Sequence, residues 1–291
     1  MFDNNKFEVN LPEIGKLSEP MNKLIDAVTG AIGSFLDPDK IQSRATARAV
    51  ALRTKTKSEI QASELRQNAR ERSRLREERR QRNVESITAK ALHALPDQVG
   101  EGKPDDDWIN RFFENCQDVG DDDMQTIWGK ILAGEVARPG SYSTFTITTL
   151  KGLGRKEAEL FTEYCTYVWD CRSLRMPITR FLPEIHGQDR LTSIHYLKLV
   201  HLQTHGLIFS NGFTSGRSAE PTPFSYFGHK FRTVPDHQFE STETLTIAGI
   251  ELSSIAGAKP DFAYMRKVLI RHRHFLENSP TEEDINNIGS S

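Results

Sequence analysis

Cysteine is scarce in this sequence, and sequence features that mark secreted proteins are missing. Its 291 residues include three cysteines, an odd number with no Cys-x-x-Cys spacing, so a disulfide framework is not expected. No cleavable signal sequence is recognisable at the N-terminus. These absences favour a protein of the reducing cytoplasm. Cys165 and Cys171 stand among apolar residues and are predicted to be inert core residues rather than nucleophiles.

No hydrophobic run is long enough to cross a bilayer. The most apolar stretch near the N-terminus, residues 21–36, is interrupted by Lys23 and Asp26 and is shorter than a transmembrane helix. Its apolar residues recur at spacings of three and four, which predicts an amphipathic helix. We expect this helix to self-associate or to lie on a membrane surface. The residues predicted to form that face are Leu24, Ile25, Val28, Ile32, Phe35 and Leu36.

Recognisable catalytic motifs are also missing. The sequence contains no Walker loop, Rossmann glycine pattern, zinc spacing or evident Ser/His/Asp set, so no enzymatic activity, cofactor or metal is predicted. His201 and His205 lie one helical turn apart but have no carboxylate or cysteine at matching spacing, which favours exposed helix histidines over metal ligands. The aspartates at 105–107 and 121–123 are interpreted as helix N-caps rather than as metal ligands.

Proline and glycine are absent from Lys40 to Leu95, which predicts one helix of about 56 residues. The net charge of the chain is only −2, but it is unevenly distributed. Residues 40–90 contain 15 Lys or Arg and 6 Glu, whereas residues 97–135 contain 11 acidic and 3 basic residues. Apolar residues are too sparse between Leu65 and Val84 for a coiled-coil seam. The middle of the helix is therefore predicted to be solvated.

The stretch "ARERSRLREERRQR", residues 69–82, holds seven arginines and three glutamates. Pairs such as Glu71 with Arg74 and Glu77 with Arg80 offset only part of this charge. We therefore expect the acidic segment downstream or an anionic partner to neutralise the remaining positive charge. Three interpretations stay open: a solvated structural arm, a contact with an acidic protein surface, or a nucleic-acid contact. The last lacks interleaved aromatic residues. The candidate contact residues are Arg70, Arg72, Arg74, Arg76, Arg79, Arg80 and Arg82.

The predicted fold is mainly α with a small β component. It combines a long N-terminal helical arm, a compact α-domain and a C-terminal winged-helix-like α+β domain. Within these, helices are expected over residues 155–171, 191–205 and 265–275, a strand over 207–210, and strand-like segments over 224–234 and 243–257. The predicted divisions are a leader with the amphipathic helix (1–39), the long basic helix (40–96), the α-domain (97–175), the winged-helix-like domain (176–278) and a flexible tail (279–291).

The block "WGKILAGEVARPGSYSTFTITTLKGLGRKEAELF", residues 128–161, resembles the core of an uncharacterised bacterial domain-of-unknown-function family. It is more distantly similar to the abortive-infection alpha-type proteins. The resemblance is carried by Trp128, Leu132, Ala133, Gly134, Glu135, Pro139, Gly140, Ser141, Ser143, Thr149, Leu150, Leu153, Glu157, Ala158 and Phe161. Gly154 departs from the Ser or Thr cap common in those families. The resemblance implies a bacterial cytoplasmic protein connected with phage defence, and it brings no catalytic residues with it.

Two functional hypotheses follow. The first is a non-enzymatic bacterial interaction protein, such as an abortive-infection-like defence component, that acts through oligomerisation and partner binding. The second is a winged-helix nucleic-acid-binding regulator that uses the arginine-rich arm. The expected partners are a second copy of the chain and an acidic protein. Nucleic acid and a peripheral membrane contact are the alternatives.

Overall fold

The computed structural model describes residues 18–32, 57–172, 174–178, 191–214, 218–237, 240–278 and 280–288. The chain divides into two compact units, Met1–Thr144 and Phe145–Ser291. The predicted boundary near residue 175 therefore differs from the observed one. Side chains that follow residue 145 bond to the C-terminal elements instead, as when Thr162 donates its hydroxyl to the Ala256 carbonyl.

The first unit is built from helices. They are α1 (Glu19–Ile32), α2 (Lys57–Ala94), α3 (Asp106–Cys116) and α4 (Asp122–Ala137). The capping prediction for the two aspartate clusters is confirmed. Asp105 accepts a hydrogen bond from the Trp108 amide, and Asp121 accepts one from the Met124 amide, which satisfies backbone donors that a helix N-terminus leaves free.

The C-terminal part of α2 packs closely on α4. Val84, Ile87 and Ala91 of α2 are buried, and the glycine at position 129 permits the close approach. A Cβ at Gly129 would lie 2.8 Å from Lys90 Cβ and 3.0 Å from the Ala91 nitrogen, nearer than side chains tolerate. The predicted helix over 40–95 runs unbroken from Lys57, and its first 17 residues lie outside the described part of the chain.

The first part of the block that carries the family resemblance, residues 128–144, lies at the end of this unit. Buried Glu135 accepts hydrogen bonds from the backbone amides of Gly140 and Tyr142, at 2.6 and 3.0 Å, and so fixes the Pro139–Gly140 loop. The indole of Trp108 donates to the Tyr142 carbonyl at 2.6 Å. Because Glu135 and the loop are used to hold each other, this part of the motif has a structural role.

The second unit is α+β. Its elements are α5 (Thr144–Lys151), α6 (Arg155–Cys165), β1 (Val168–Cys171), β2 (Leu174–Pro177), α7 (Leu191–Thr204), β3 (Ile208–Thr214), β4 (Pro223–Tyr226), β5 (His229–Arg232), β6 (Glu240–Leu245), α8 (Ile247–Ser253), α9 (Phe262–His272), a 3-10 turn (Arg273–Phe275) and α10 (Glu282–Asn286). One antiparallel sheet has the strand order β2-β1-β4-β5, and β3 pairs with β6 in a second, two-stranded sheet.

Several elements differ from the sequence-based expectation. The helix predicted over 155–171 ends at Cys165, and Val168–Cys171 forms β1. There, aromatic and β-branched residues suit a strand, and Trp169 becomes fully buried. The strand-like segment 243–257 is a strand only to Leu245 and then becomes α8. Segment 224–234 is a hairpin whose turn is formed by Phe227 and Gly228, both at positive φ.

The core of the second unit lies between the four-stranded sheet and the C-terminal helices. Trp169 is at its centre and donates its indole N–H to the Tyr264 hydroxyl at 3.1 Å, and that hydroxyl donates in turn to the Tyr167 carbonyl at 2.9 Å. The segment predicted to be a flexible tail contains α10. Ile285 on that helix is fully buried in the same core, so its apolar side chain anchors the segment.

Candidate functional site

The arginine-rich stretch of α2 is exposed except at Arg80, which is partly buried. Every residue from Glu64 to Arg79 is exposed to solvent, including Leu65 and Leu75, which are 68% and 51% exposed. These residues are in the middle of an unbroken helix because they have high helix propensity and no helix breaker. Their charge rather than an apolar stripe is therefore what this surface offers to other molecules.

Part of the charge is paired within the helix. Arg74 bonds to Glu71 at 2.6 Å and also to Glu78, which are the neighbours one turn away on either side. The hydrogen bond to Glu71 raises the pKa of Arg74, and the same bond lowers the pKa of Glu71. The predicted pair of Glu77 with Arg80 also forms, at 3.3 Å.

A second part of the positive charge is paired with the acidic segment that follows α2. Arg80 donates two parallel hydrogen bonds to the Asp118 carboxylate, Nε to Oδ1 at 2.9 Å and Nη2 to Oδ2 at 2.8 Å. Arg79 approaches the same carboxylate at 3.8 Å. The hydrogen bonds from Arg80 lower the pKa of Asp118. This two-bonded geometry is the one by which arginine recognises a carboxylate.

The remaining arginines have no comparable carboxylate partner among the described residues. Arg66, Arg70, Arg72 and Arg82 make no ion pair with any residue that the structure describes, and all four are exposed. Arg76 makes only a long contact of 3.4 Å with the neighbouring Glu77. Arg66, Arg70, Arg72 and Arg82 are the open arginines of α2. These four residues leave an uncompensated positive surface on α2.

The apolar face predicted on α1 is divided. Leu24 and Val28 are buried, at 0% and 3% exposure, within the first unit, whereas Ile25 is 37% exposed. The side chain of Ile32 and residues Phe35 and Leu36 lie outside the described part of the structure. Leu24 and Val28 thus belong to the core of the unit, and self-association through the other predicted residues stays a prediction.

A cluster missed from the sequence lies in the second unit. Glu157 on α6 bonds through Oε1 to Nε2 of His201 on α7 at 3.0 Å, and His205 stands beside His201 with 4.7 Å between the ring centres. One ligand atom from each of these residues can be chosen so that all lie within 4.8 Å of one another. The hydrogen bond from His201 is the main cause that lowers the pKa of Glu157.

Sequence spacing could reveal only two of the three residues in this cluster. The histidines are one turn apart on a helix and were visible, but the carboxylate is 44 residues away in the chain. The only signal was Glu157 itself, which stands three residues after Gly154, where a glutamate commonly closes a capping box. Among the described residues, this is the one group of three histidine, cysteine or acidic side chains with the spacing of a metal site.

Comparison with known proteins identifies a family and no function. A family model described as "Protein of unknown function (DUF2806)" matches residues 67–269. The chain belongs to this family. A search of the curated proteins and a search of the solved structures each found no match.

The DUF2806 region contains both surfaces described above. It spans α2 from Gln67 onward, which includes all seven arginines predicted as contact residues, and it spans the cluster of Glu157, His201 and His205.

Within the described part of the chain, no helix is both long and apolar enough to cross a membrane.

Proposed function

We propose that this DUF2806 chain is a non-enzymatic interaction protein whose exposed α2 arginines bind an acidic surface of a partner protein. One observation carries the proposal: Arg80 already holds the carboxylate of Asp118 with two bonds. The open arginines continue the same helix and leave the same kind of donor unoccupied by any described residue. Arg66 and Arg70 are one turn apart on this helix, whereas Arg72 and Arg82 project from other sides of it.

A carboxylate surface fits these residues better than a phosphate backbone. Arginine forks match both groups, but sites that hold single-stranded nucleic acid generally combine cations with aromatic stacking platforms. From Lys57 to Ala94 the sequence contains no phenylalanine, tyrosine or tryptophan. The exposed Leu65 and Leu75 instead provide small apolar contacts of the kind found at protein interfaces.

Charge reversal tests the proposal. The variant with all four open arginines changed to glutamate should lose retention on immobilised polyglutamate at about 0.15 M salt, where surface charges still act over about 8 Å. It should also lose any self-association seen by sedimentation if the acidic partner is a second copy. Circular dichroism should be unchanged, because these side chains are exposed and bury nothing.

The matched control reverses four exposed lysines elsewhere, Lys130, Lys151, Lys156 and Lys259. This variant changes the net charge by the same amount and should keep polyglutamate binding. Equal loss in the two variants would mean that net charge alone attracts the probe and would refute a defined arginine site. Retained binding in the arginine variant would refute it as well.

Nucleic-acid binding is the second candidate, and strand order favours it. The chain order is α7, β3, the β4–β5 hairpin, β6 and α8, with β3 antiparallel to β6. This order is similar to the helix, strand, hairpin, strand and helix at the end of a winged-helix domain. Lys198 of α7, however, bonds to both oxygens of Glu163 at 3.3 and 3.0 Å, so this cation is already satisfied within the chain. A recognition helix needs free cations for phosphates.

Duplex DNA of about 30 base pairs separates the two candidates. The nucleic-acid candidate predicts retention that falls steeply with salt and is lost when the open arginines become glutamates. The first proposal predicts that the chain binds duplex DNA only weakly, with an affinity of the same order as its affinity for any other polyanion. DNA binding far tighter than polyglutamate binding would replace the first proposal by the second.

The cellular role proposed here is a bacterial phage-defence component of the reducing cytoplasm. Its support is the resemblance of residues 128–161 to abortive-infection proteins, together with three free and buried cysteines, Cys116, Cys165 and Cys171, which are typical of a reducing compartment. Phage plaque counts on cells carrying the chain or the arginine variant test it. Equal counts with and without the wild-type chain would remove the defence role.

A further inference from the structure

We propose that Glu157, His201 and His205 form a binding site for a divalent transition-metal ion such as Zn²⁺. Two imidazoles and one carboxylate are a common protein ligand set for zinc and other first-row metals. The three side chains come from α6, from α7 and from the residue that follows α7, all in one unit, and their ligand atoms lie within 4.8 Å of one another. The proposal is independent of the arginine surface.

The geometry is close to that of a metal site before any metal binds. With bonds of about 2.0–2.1 Å, two ligand atoms on a tetrahedral ion stand about 3.3 Å apart. The separation of Glu157 Oε1 from His201 Nε2 is 3.0 Å, already near that value. The side chain of His201 is 46% exposed, and His205 is half-buried, so both rings have room to turn toward an ion.

The fold holds the carboxylate in place. Oε2 of Glu157 accepts the Gly154 backbone N–H at 2.9 Å, which is the one half of a capping box that a glycine N-cap permits, and this bond leaves Oε1 directed at His201. Metal ligands commonly depend on such an orienting hydrogen bond behind them. The Glu157 carboxylate is thus held in one orientation.

The histidines are fixed by the end of α7. The His205 amide bonds to the His201 carbonyl at 3.1 Å, which continues the helical spacing by one residue beyond Thr204. The chain then reverses at Gly206, whose φ is +71, and the Leu207 amide bonds back to the Leu202 carbonyl at 3.0 Å. This glycine-terminated helix end holds the two histidines on one face.

Three protein ligands would leave one coordination position for water or a small anion, as in open zinc sites. The ion would also join the first turn of α6 to the last turn of α7. The competing explanation is a simple surface ion pair between Glu157 and His201. It assigns no role to His205, which makes that residue the most informative one to change.

The test uses the full chain, purified without a histidine tag, and titration calorimetry with ZnCl₂ at about pH 7. We expect saturable binding of one ion and a higher melting temperature with Zn²⁺ present, because an ion that binds only the native state stabilises it. Co²⁺ should give the visible absorption of a low-coordinate site. The His205→Ala variant keeps the Glu157–His201 pair but should lose affinity at least about 100-fold, more than is usual for removing an orienting partner.

Glu157→Gln should weaken binding to a similar extent and lower the intensity of the Co²⁺ spectrum. His93→Ala, which removes an exposed histidine of α2, is the matched control and should bind like the wild type. Absence of saturable Zn²⁺ binding to the wild-type chain would overturn the proposal. The proposal would also be overturned if a folded His205→Ala variant bound Zn²⁺ with undiminished affinity. The same holds if Zn²⁺ raised the melting temperature of the wild type and of this variant equally.

Discussion

At the scale of single residues, two glycines show opposite constraints. A Cβ at Gly249, in α8, would lie 2.1 Å from the Leu207 carbonyl oxygen, whereas a Cβ at Gly30, in α1, would meet nothing within 4 Å. Gly249→Ala must therefore push backbone apart and should destabilise the chain by about 1–3 kcal/mol. Gly30→Ala should stabilise it by about 0.5–1 kcal/mol, since glycine is a poor helix residue.

Urea unfolding of the two variants checks this prediction. The midpoint should fall for Gly249→Ala and rise for Gly30→Ala relative to the wild type. Shifts of the same sign in both would contradict the packing at Gly249.

A buried histidine is expected to make stability depend on pH. His272 is only 5% exposed, and burial lowers its pKa to about 4. The unfolded chain takes up a proton near pH 6.5 and the native chain does not until about pH 4, so stability falls as pH decreases through that window. The contribution lost between about pH 7 and pH 5 is about 2 kcal/mol at 1.36 kcal/mol per pKa unit.

The measurement is the unfolding free energy of the wild-type chain and of His272→Gln at both pH values. The variant should be less stable at about pH 7 and should lose about 2 kcal/mol less on acidification. If the two chains have parallel pH profiles, His272 is not the titrating group.

At the scale of elements, α2 depends on the acidic segment that follows it for part of its charge balance. Asp118 occupies Arg80 with two bonds and lies near Arg79. Asp118→Asn removes that negative charge, which should free the guanidinium group of Arg79 and leave Arg80 with its longer contact to Glu77. We therefore expect about twofold to fivefold tighter binding of polyglutamate, a modest gain because exposed ion pairs are weak.

Binding curves for Asp118→Asn and for Asp97→Asn, an exposed aspartate of the same segment, provide the comparison. Only the first should bind more tightly. An equal gain in both variants would point to net charge, and no gain in Asp118→Asn would separate Arg79 and Arg80 from the binding surface.

At the scale of the whole molecule, the buried thiols report on each unit separately. Cys116 lies in the first unit, and Cys165 and Cys171 lie in the second. Burial raises the pKa of Cys165 and Cys171 to about 12 and also raises that of Cys116. Thiol reagents act on the thiolate, so the native chain should be labelled far more slowly than the denatured chain.

Replacing the central tryptophan of each unit should expose its own thiols. Trp128→Ala, which costs about 3–5 kcal/mol of packing, should speed labelling of Cys116 most, and Trp169→Ala should speed labelling of Cys165 and Cys171. Mass spectrometry of the labelled peptides assigns the sites. Uniform acceleration of all three in either variant would show that the units unfold together.

The sequence by itself determined the local features of this protein. Helix propensity and the lack of breakers predicted α2, the aspartates at 105 and 121 predicted the caps of α3 and α4, and Gly206 predicted the end of α7. Each rests on interactions between residues a few positions apart, which is why a linear reading finds them. The uncharacterised family was also visible in residues 128–161, and the DUF2806 match extends over that block.

Only the tertiary structure decided features that join distant segments. Local propensity assigned Val168–Cys171 to a helix, but pairing with β2 and β4 makes it a strand. It placed residues 279–291 in a loose tail, but the core that buries Ile285 holds α10. Sequence spacing revealed His201 and His205 but no carboxylate near them, because Glu157 reaches them only when α6 packs on α7. Contacts across tens of residues depend on how surfaces fit together, and that fit is not encoded in any short window of sequence.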